Sequence, residues 1–411
     1  MDIEINTLPI GMEGAEQDSL YHPDLLQSLN QNLRQQLATR NAPLITLEQR
    51  QQQARAALTT AVSSRELGRI AFSQELNKCY DALTAIYTSL DLPPEQRSLQ
   101  YINRHGLVMS PDYCIKTITD TPRVGAFWQA LEPLIGVDTN TEGKAQHLVY
   151  PACGPYAPLL LPLLYSLKQQ ERLNPLLKVT LIDVHPAAAH TALELVNLCG
   201  LADQVDVLCL DACDYQAEPG SVNILLLESM QHGFGREAHL SICQHFESLL
   251  AHDAIMVPEN ISICAVLVKS AEEYPAEGRD TSIANSGRIE LGSILEVNRH
   301  NVLQLQTLEL DGGNCLVECD QVRIPDNIVD AKDYILLLTT RIKVAENCWI
   351  EEYESGISHP LPDLSVCIGF TPNDYKPGDL LAKPGDSLKF YYRKLGLPGF
   401  LPALVKSEVS S

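Results

Sequence analysis

The sequence predicts an α/β plus β protein in three parts: a helical N-terminal region over residues 1–100, a parallel sheet covered by helices over 101–258, and a mostly antiparallel β domain over 259–411. Three observations carry that division. Apolar residues recur at three and four positions as far as about Leu90. Short runs rich in Val, Ile and Leu then alternate with spacers long enough for helices. Beyond Glu259 the runs continue, but only Gly, Pro, Asn and Asp turns separate them.

From Pro23 to Leu90 the chain is rich in Gln, Leu, Ala, Arg and Glu, and "LGRIAFSQELNKCYDALTAIYTSL" has the period of an amphipathic helix. "DLPPEQRS" breaks it, and "SPDYCIKTITDTPRVGAFWQALEPLI" predicts further helix opening at Ser110. "HLVYPA", "KVTLIDV", "VDVLCLDA", "VNILLLES" and "DAIMVPENISICAVLV" then read as strands, with helices in the spacers between the first four. That alternation argues for a parallel sheet covered on both faces. "RIELGSILEV", "VLQLQTLEL", "NCLVECDQVRI", "YILLLTTRIKV", "CWIEEYES", "LSVCIGF" and "SLKFYYRKL" supply the closing strands. The chain shows no internal repeat and no low-complexity segment.

Composition bounds the function. A chain of 411 residues that is 45% apolar has room for two or three ordinary cores. Its twelve cysteines are scattered; the closest pairs, Cys209/Cys213 and Cys315/Cys319, are each separated by three residues. They read as reduced core thiols rather than disulfides or zinc ligands, so no metal is expected. A formal charge of −22 argues against nucleic acid or an anionic membrane as partner and fits a cationic substrate. No basic start precedes an apolar core, and no uncharged apolar run reaches the length of a membrane span, so the expectation is a soluble cytoplasmic protein.

Open α/β sheets bind ligands at the carboxyl edge of their strands. "VYPACGPYAP" follows the first strand and precedes a helical run, where a tight turn lets backbone approach a ligand. Only Gly154 remains there of a glycine-rich fingerprint. Asp183, Asp211 and Glu228 stand at three successive strand ends; the first suits a ribose diol and the second an adenine amino group. Two nucleotide ligands stay open, NAD and S-adenosylmethionine. Pro155 and Tyr156 occupy the place where a pyrophosphate would pass, which argues against the dinucleotide; S-adenosylmethionine has no phosphate and tolerates them.

The fourth strand runs into "ESMQHGFGRE", in which Glu228 and Glu237 lie nine positions apart with Met230 between them. Here the sequence resembles the protein arginine methyltransferases, whose loop after the fourth strand carries two glutamates at that spacing. The resemblance runs from about Asn103 to the last strands. It implies a Rossmann-like S-adenosylmethionine-binding domain, a C-terminal β barrel and a homodimer. Residue by residue, it makes Glu228 and Glu237 the catalytic and substrate-binding carboxylates, with Met230 beside them. "DTPR" supplies Asp120 and Arg123, the arginine gripping the cofactor carboxylate through two parallel bonds. The turn at Ala152, Cys153 and Gly154, then Asp183, Asp211 and Ala212, become cofactor contacts. His359 in "ESGISHPLPDLS" corresponds to the histidine that meets the helix aspartate, and Pro258 in "HDAIMVPENISI" to the turn into the barrel, with Asp253 where glycine is usual. Two departures stand out. The aromatic Tyr-Phe-x-x-Tyr signature is not found in "NRHGLVMSPDY", where Tyr113 is the nearest aromatic, and the dimerisation arm has no clear counterpart in "SAEEYPAEGRDTSIANSGRIELGS".

The chemistry explains the paired glutamates. A guanidinium is cationic, and its delocalised lone pair is a poor nucleophile. Two carboxylates hold it by a fork of N–H donors and aim one terminal nitrogen at the sulfonium methyl, giving an Nω-methylated guanidine. The family points to arginine in a protein or peptide. The missing aromatic signature, the absent arm and the long helical region favour free L-arginine or a small arginine-like metabolite. A non-catalytic S-adenosylmethionine-binding scaffold is the alternative of another class; joint retention of Arg123, Asp183, Glu228 and Glu237 argues against it. A neutral hydroxyl acceptor would gain nothing from two buried anions.

Overall fold

The computed structural model describes residues 45–137, 143–273, 287–370 and 375–405. The first helix, α1 (Leu47–Ser64), gives way after a short turn to α2 (Arg69–Ser89), and Gly68 between them adopts φ +96°, a conformation that favours glycine. On α2 the residues Phe72, Leu76, Cys79, Leu83 and Ile86 are buried, a single stripe at helical spacing. The helical reading from Pro23 to residue 44 lies outside the described residues.

The helix expected from Ser110 opens there but does not run on. Pro111–Cys114 and Ile115–Thr119 make only a helical turn and a 3₁₀ segment, and the long helix α3 (Thr121–Ile135) begins afresh. Pro122 cannot continue a helix from the preceding turn, and Asp120 caps the new one by accepting a hydrogen bond from the Arg123 backbone N–H at 3.2 Å.

Five strands then form the parallel sheet: β1 (Gln146–Pro151), β2 (Leu177–Asp183), β3 (Val205–Cys209), β4 (Val222–Leu226) and β5 (Leu250–Val257). Their order is β3-β2-β1-β4-β5, every neighbouring pair parallel. Helices α4 (Leu161–Gln169), α5 (Pro186–Leu198) and α6 (His239–Glu247) make three of the crossovers. The helix expected between β3 and β4 is corrected: residues 210–221 hold one 3₁₀ turn, Ala212–Asp214, opened by Asp211 and followed by Pro219 and Gly220. Because β1 is followed by a crossover to one side and β4 lies on its other side, the sheet opens a crevice between β1 and β4.

The strands that follow the parallel sheet are β6 (Asn260–Lys269), β7 (Ile289–Asn298), β8 (Thr307–Leu310), β9 (Asn314–Arg323), β10 (Tyr334–Ala345), β11 (Cys348–Ile350), β12 (Leu361–Asp363), β13 (Val366–Ile368), β14 (Leu380–Ala382), β15 (Ser387–Arg393) and β16 (Gly399–Leu404). One antiparallel sheet runs β11-β10-β6-β7, with β12 also on β10; a second runs β8-β9-β15-β16. The pair β13/β14 is parallel, against the antiparallel rule of this region. The strand expected over "VLQLQTLEL" starts only at Thr307. An unexpected one, β16, tolerates Pro402 because it lies at a sheet edge. The segment expected to show no dimerisation arm, 270–293, falls partly outside the described residues, at 274–286.

A continuous apolar core reaches from Ala54 on α1 through the parallel sheet to Tyr392 on β15. Trp128 of α3 is fully buried in it, its ring 5.7 Å from that of Phe72 and its Nε1–H donated to the Pro158 carbonyl at 3.0 Å. No helix among the described residues is long and apolar enough to cross a membrane.

Candidate active site

Two clefts meet at the carboxyl edge of the parallel sheet. The smaller, about 660 Å³, is walled by apolar side chains such as Val108, Ile182 and Leu210, with Asp183 and Asp211 among them. The larger, about 920 Å³, holds Arg123, Tyr150, Glu228 and Glu237. Both reach Met109, Cys114, Ala152, Gly154 and Glu237, which form the junction.

The turn after β1 makes the floor of that junction. Gly154 adopts φ +68°, and Ala152 sits at φ +52° without being glycine. The fingerprint that looks degenerate in sequence is therefore built in backbone conformation. Gly154 N–H donates to Asp183 Oδ2 at 2.9 Å and His185 N–H to Oδ1 at 2.8 Å. Burial pushes the Asp183 carboxyl up to about 6 against these two backbone donors. Each oxygen keeps a lone pair for a ligand.

Asp211 accepts from Asn103 Nδ2 at 2.9 Å and from Cys213 N–H at 2.9 Å. His105, Asp211 and Cys213 also bring possible metal-ligand atoms within 4.8 Å of one another. Burial, then the Asp211 and Asp214 charges, push the Cys213 thiol up to about 12. Ala212 lines the smaller cleft, Cys153 the larger.

The loop after β4 brings its two glutamates into one space. The side chain of Glu228 is 7% exposed and accepts from Arg123 Nη1 at 3.2 Å. Burial raises its pKa while Arg123 and the Met230 N–H lower it. Glu237 is pushed up to about 8, first by burial and then by Glu228, with a hydrogen bond from Gln231 opposing. Three contacts fix the loop from outside. Leu107 N–H donates to the Arg236 carbonyl and Arg236 N–H to the Pro398 carbonyl, each at 2.7 Å, and Tyr392 Oη–H donates to the Phe234 carbonyl at 3.0 Å. Gly106 is required at the first: a Cβ there would lie 2.9 Å from Ala238 N.

Asp120 and Arg123 are brought to Glu228, and Asp120 Oδ2 takes Arg123 Nη2 at 2.9 Å, Ser355 Oγ at 2.7 Å and Gly356 N–H at 3.1 Å. The expected pairing of Asp120 with His359 is thereby corrected. His359 is exposed and lies edge-on to Tyr353, ring centroids 5.6 Å apart. The chain turns at Ser355 and Gly356, so these residues, four and three positions earlier, meet the aspartate instead. Arg123 also donates Nε–H to Ser355 Oγ at 3.3 Å, so three of its five N–H groups are engaged within the protein and two remain for a ligand.

Sequence reasoning missed Asn103, Gln231, Ser355 and Gly356. Asn103 had a signal. Its Oδ1 accepts from both His105 and Gly106 N–H at 2.9 Å, the side-chain turn that an Asn three positions before a Gly announces.

No protein-family model matches the chain, and no curated protein sequence matches it. Among solved structures the fold is similar to PRMT1 of Trypanosoma brucei, solved as an enzyme-prozyme heterotetrameric complex with AdoHcy: 11% identity, 71% of this chain and 97% of that chain, TM-score 0.40. It is similar to PRMT6 with SAH at 12% identity, over 70% and 98% of the two chains, TM-score 0.39. With Arabidopsis thaliana protein arginine methyltransferase 10 the values are 12%, 68% and 86%, and 0.38. Likeness at this level carries no functional argument, and the reading below rests on the site.

Proposed function

We propose that the chain is an S-adenosylmethionine-dependent N-methyltransferase acting on the guanidino group of arginine, with free L-arginine or a small arginine-like metabolite preferred over arginine in a peptide. One observation carries the reading: Glu228 and Glu237, far enough apart in sequence to come from a strand end and a loop end, face one cleft where it joins a second at the strand edge.

The residues present fit the cofactor. The smaller cleft has apolar walls for an adenine, Asp183 with free lone pairs for a ribose, and an exit past Gly154 toward the two unengaged N–H groups of Arg123. When bound, S-adenosylmethionine supplies an electrophilic sulfonium methyl. Glu228 and Glu237 accept N–H bonds from the guanidinium and fix one terminal nitrogen toward the junction. Arg123 spreads its charge over Asp120 and Glu228, which favours the ionised form of Glu228 against the burial that raises its pKa. As the new N–C bond forms and the methyl–sulfur bond breaks, leaving S-adenosylhomocysteine, the nitrogen sheds a proton. Glu237, poised near 8, takes it. Asp120 is occupied by Ser355 and Gly356, so a relay through His359 has no place in the scheme. The same reading has the chain working as a homodimer, which light scattering tests.

The test is mass spectrometry of purified protein incubated with S-adenosylmethionine and either L-arginine or a mixed arginine peptide pool. A methyl gain on L-arginine that disappears in Glu228→Gln and Glu237→Gln supports the reading. Transfer to peptides alone reverses the substrate choice, and no transfer to any guanidine by folded protein rejects it.

A further inference from the structure

The larger cleft carries opposite charges at its two ends. Inside are Glu228 and Glu237; at its rim are His232 and Arg236, from the same loop. In a chain of net charge −22 a cationic rim runs against the average. Arg236 is exposed and forms no ion pair among the described residues, although a glutamate follows it directly. Its charge falls instead on His232, whose pKa is lowered first by burial, then by Arg236 and His359. A guanidinium beside an imidazole that it holds neutral, with no ion-pair partner among the described residues, leaves a place where an anion is favourable. The backbone holds the arginine there firmly. Its N–H and C=O are both tied to neighbouring segments at 2.7 Å, and it sits at φ +67°, a conformation an L side chain rarely adopts.

A cleft that is anionic inside and cationic at its rim matches a zwitterionic guanidine, with a cation at one end of an alkyl chain and a carboxylate at the other. We propose that Arg236, with His232 beside it, binds the α-carboxylate of the substrate and selects free arginine over guanidines that lack that group. The inference rests on the methyltransferase reading above. A guanidinium–carboxylate pair is charge-assisted and bidentate, so it discriminates by geometry as well as charge.

The experiment compares initial rates of the full chain with S-adenosylmethionine and, separately, L-arginine, agmatine, L-argininamide and an acetylated peptide with an internal arginine, for wild type, Arg236→Gln and His232→Gln. Wild type is expected to prefer L-arginine over agmatine and argininamide by about tenfold to a hundredfold in kcat/KM, about the worth of a partly exposed charge pair. Arg236→Gln is expected to bring the arginine-to-agmatine ratio toward one, through KM rather than kcat, and His232→Gln to lower it less. Equal use of agmatine and L-arginine by wild type overturns the carboxylate subsite while leaving arginine methylation standing. So does an equal loss on every substrate in Arg236→Gln, or transfer to the peptide alone. Absence of transfer to all four guanidines rejects the methyltransferase reading, and the subsite with it.

Discussion

A carboxyl poised near 8 in the proposed guanidinium site ties binding to pH. Glu237 must be ionised to hold a guanidinium, so binding releases a proton and arginine affinity rises as pH climbs toward and through about 8. Titration calorimetry in buffers of different ionisation enthalpy would show that release, and affinity independent of pH between 6 and 9 would refute it. Folding has the opposite sign. The pKa lies above the ordinary carboxyl value of 4.5, so this group's contribution to stability is complete below about 4.5 and is lost as pH rises through about 8. Glu237→Gln should remove that decline from thermal melts of the ligand-free protein while abolishing methyl transfer. Arg123 offers a second test. Its side chain is 12% exposed between Asp120 and Glu228, and Arg123→Ala would strand both carboxylates. Chemical denaturation should record a loss of about 3–5 kcal/mol, the range for breaking a buried ion pair by removing one partner. Glu228, Glu237, Asp120 and Arg123 could be named from the sequence because each pair lies close in the chain and matches a motif of the family it resembles. Ser355 and Gly356 could not, because their tie to Asp120 spans more than two hundred positions and is set by how a β turn lands on a helix cap.

At the scale of elements, the loop between β4 and α6 is the part most sensitive to small changes, because its shape depends on backbone conformations few residues adopt. Gly233 has φ +65°, and a Cβ there would lie 2.6 Å from Leu361 Cδ2 on β12. Gly233→Ala should therefore lower kcat/KM for arginine by about tenfold or more, through displacement of Glu228 and Glu237. Adding Leu361→Gly removes both the Cδ2 and the Cβ contact but leaves the φ strain, so the double variant should recover part of the activity. Full recovery, or none, would show that only one of the two causes operates. β1 to β5 were legible for a related reason. Strands buried on both faces need unbroken Val, Ile and Leu runs, and three of the four spacers between them hold helices. The β13/β14 pair and β16 were illegible because pairing in short strands is decided by neighbours distant in sequence, and Pro402 reads as a strand breaker unless its edge position is known.

For the molecule as a whole, sequence composition changes character three times, yet packing ignores those boundaries. The core is continuous from α1 to β15, Cys348 of β11 donates its thiol to the Ala126 carbonyl of α3 at 3.4 Å, and the Asp120 cap is completed by Ser355. Regions tied in this way lose stabilising contacts together, so the helices, parallel sheet and antiparallel sheets should unfold in one transition. The chain's two tryptophans make this measurable. Trp128 is fully buried on α3, against Phe72 of α2 and the Pro158 carbonyl that follows β1, whereas Trp349 on β11 is 40% exposed under the Arg341 guanidinium, 5.2 Å from its ring centroid. Trp349→Phe leaves fluorescence reporting on the helix and parallel sheet; Trp128→Tyr leaves it reporting on the antiparallel sheet. Because the second replacement trims a side chain in the core, its midpoint must be compared with circular dichroism on the same variant rather than with the first variant directly. Coincident fluorescence and circular dichroism transitions in both proteins are expected in urea. A Trp349 signal that changes well before the dichroism does would mean that the antiparallel sheets melt on their own, and that the ties at Cys348 and Asp120 are too weak to couple the two halves of the site.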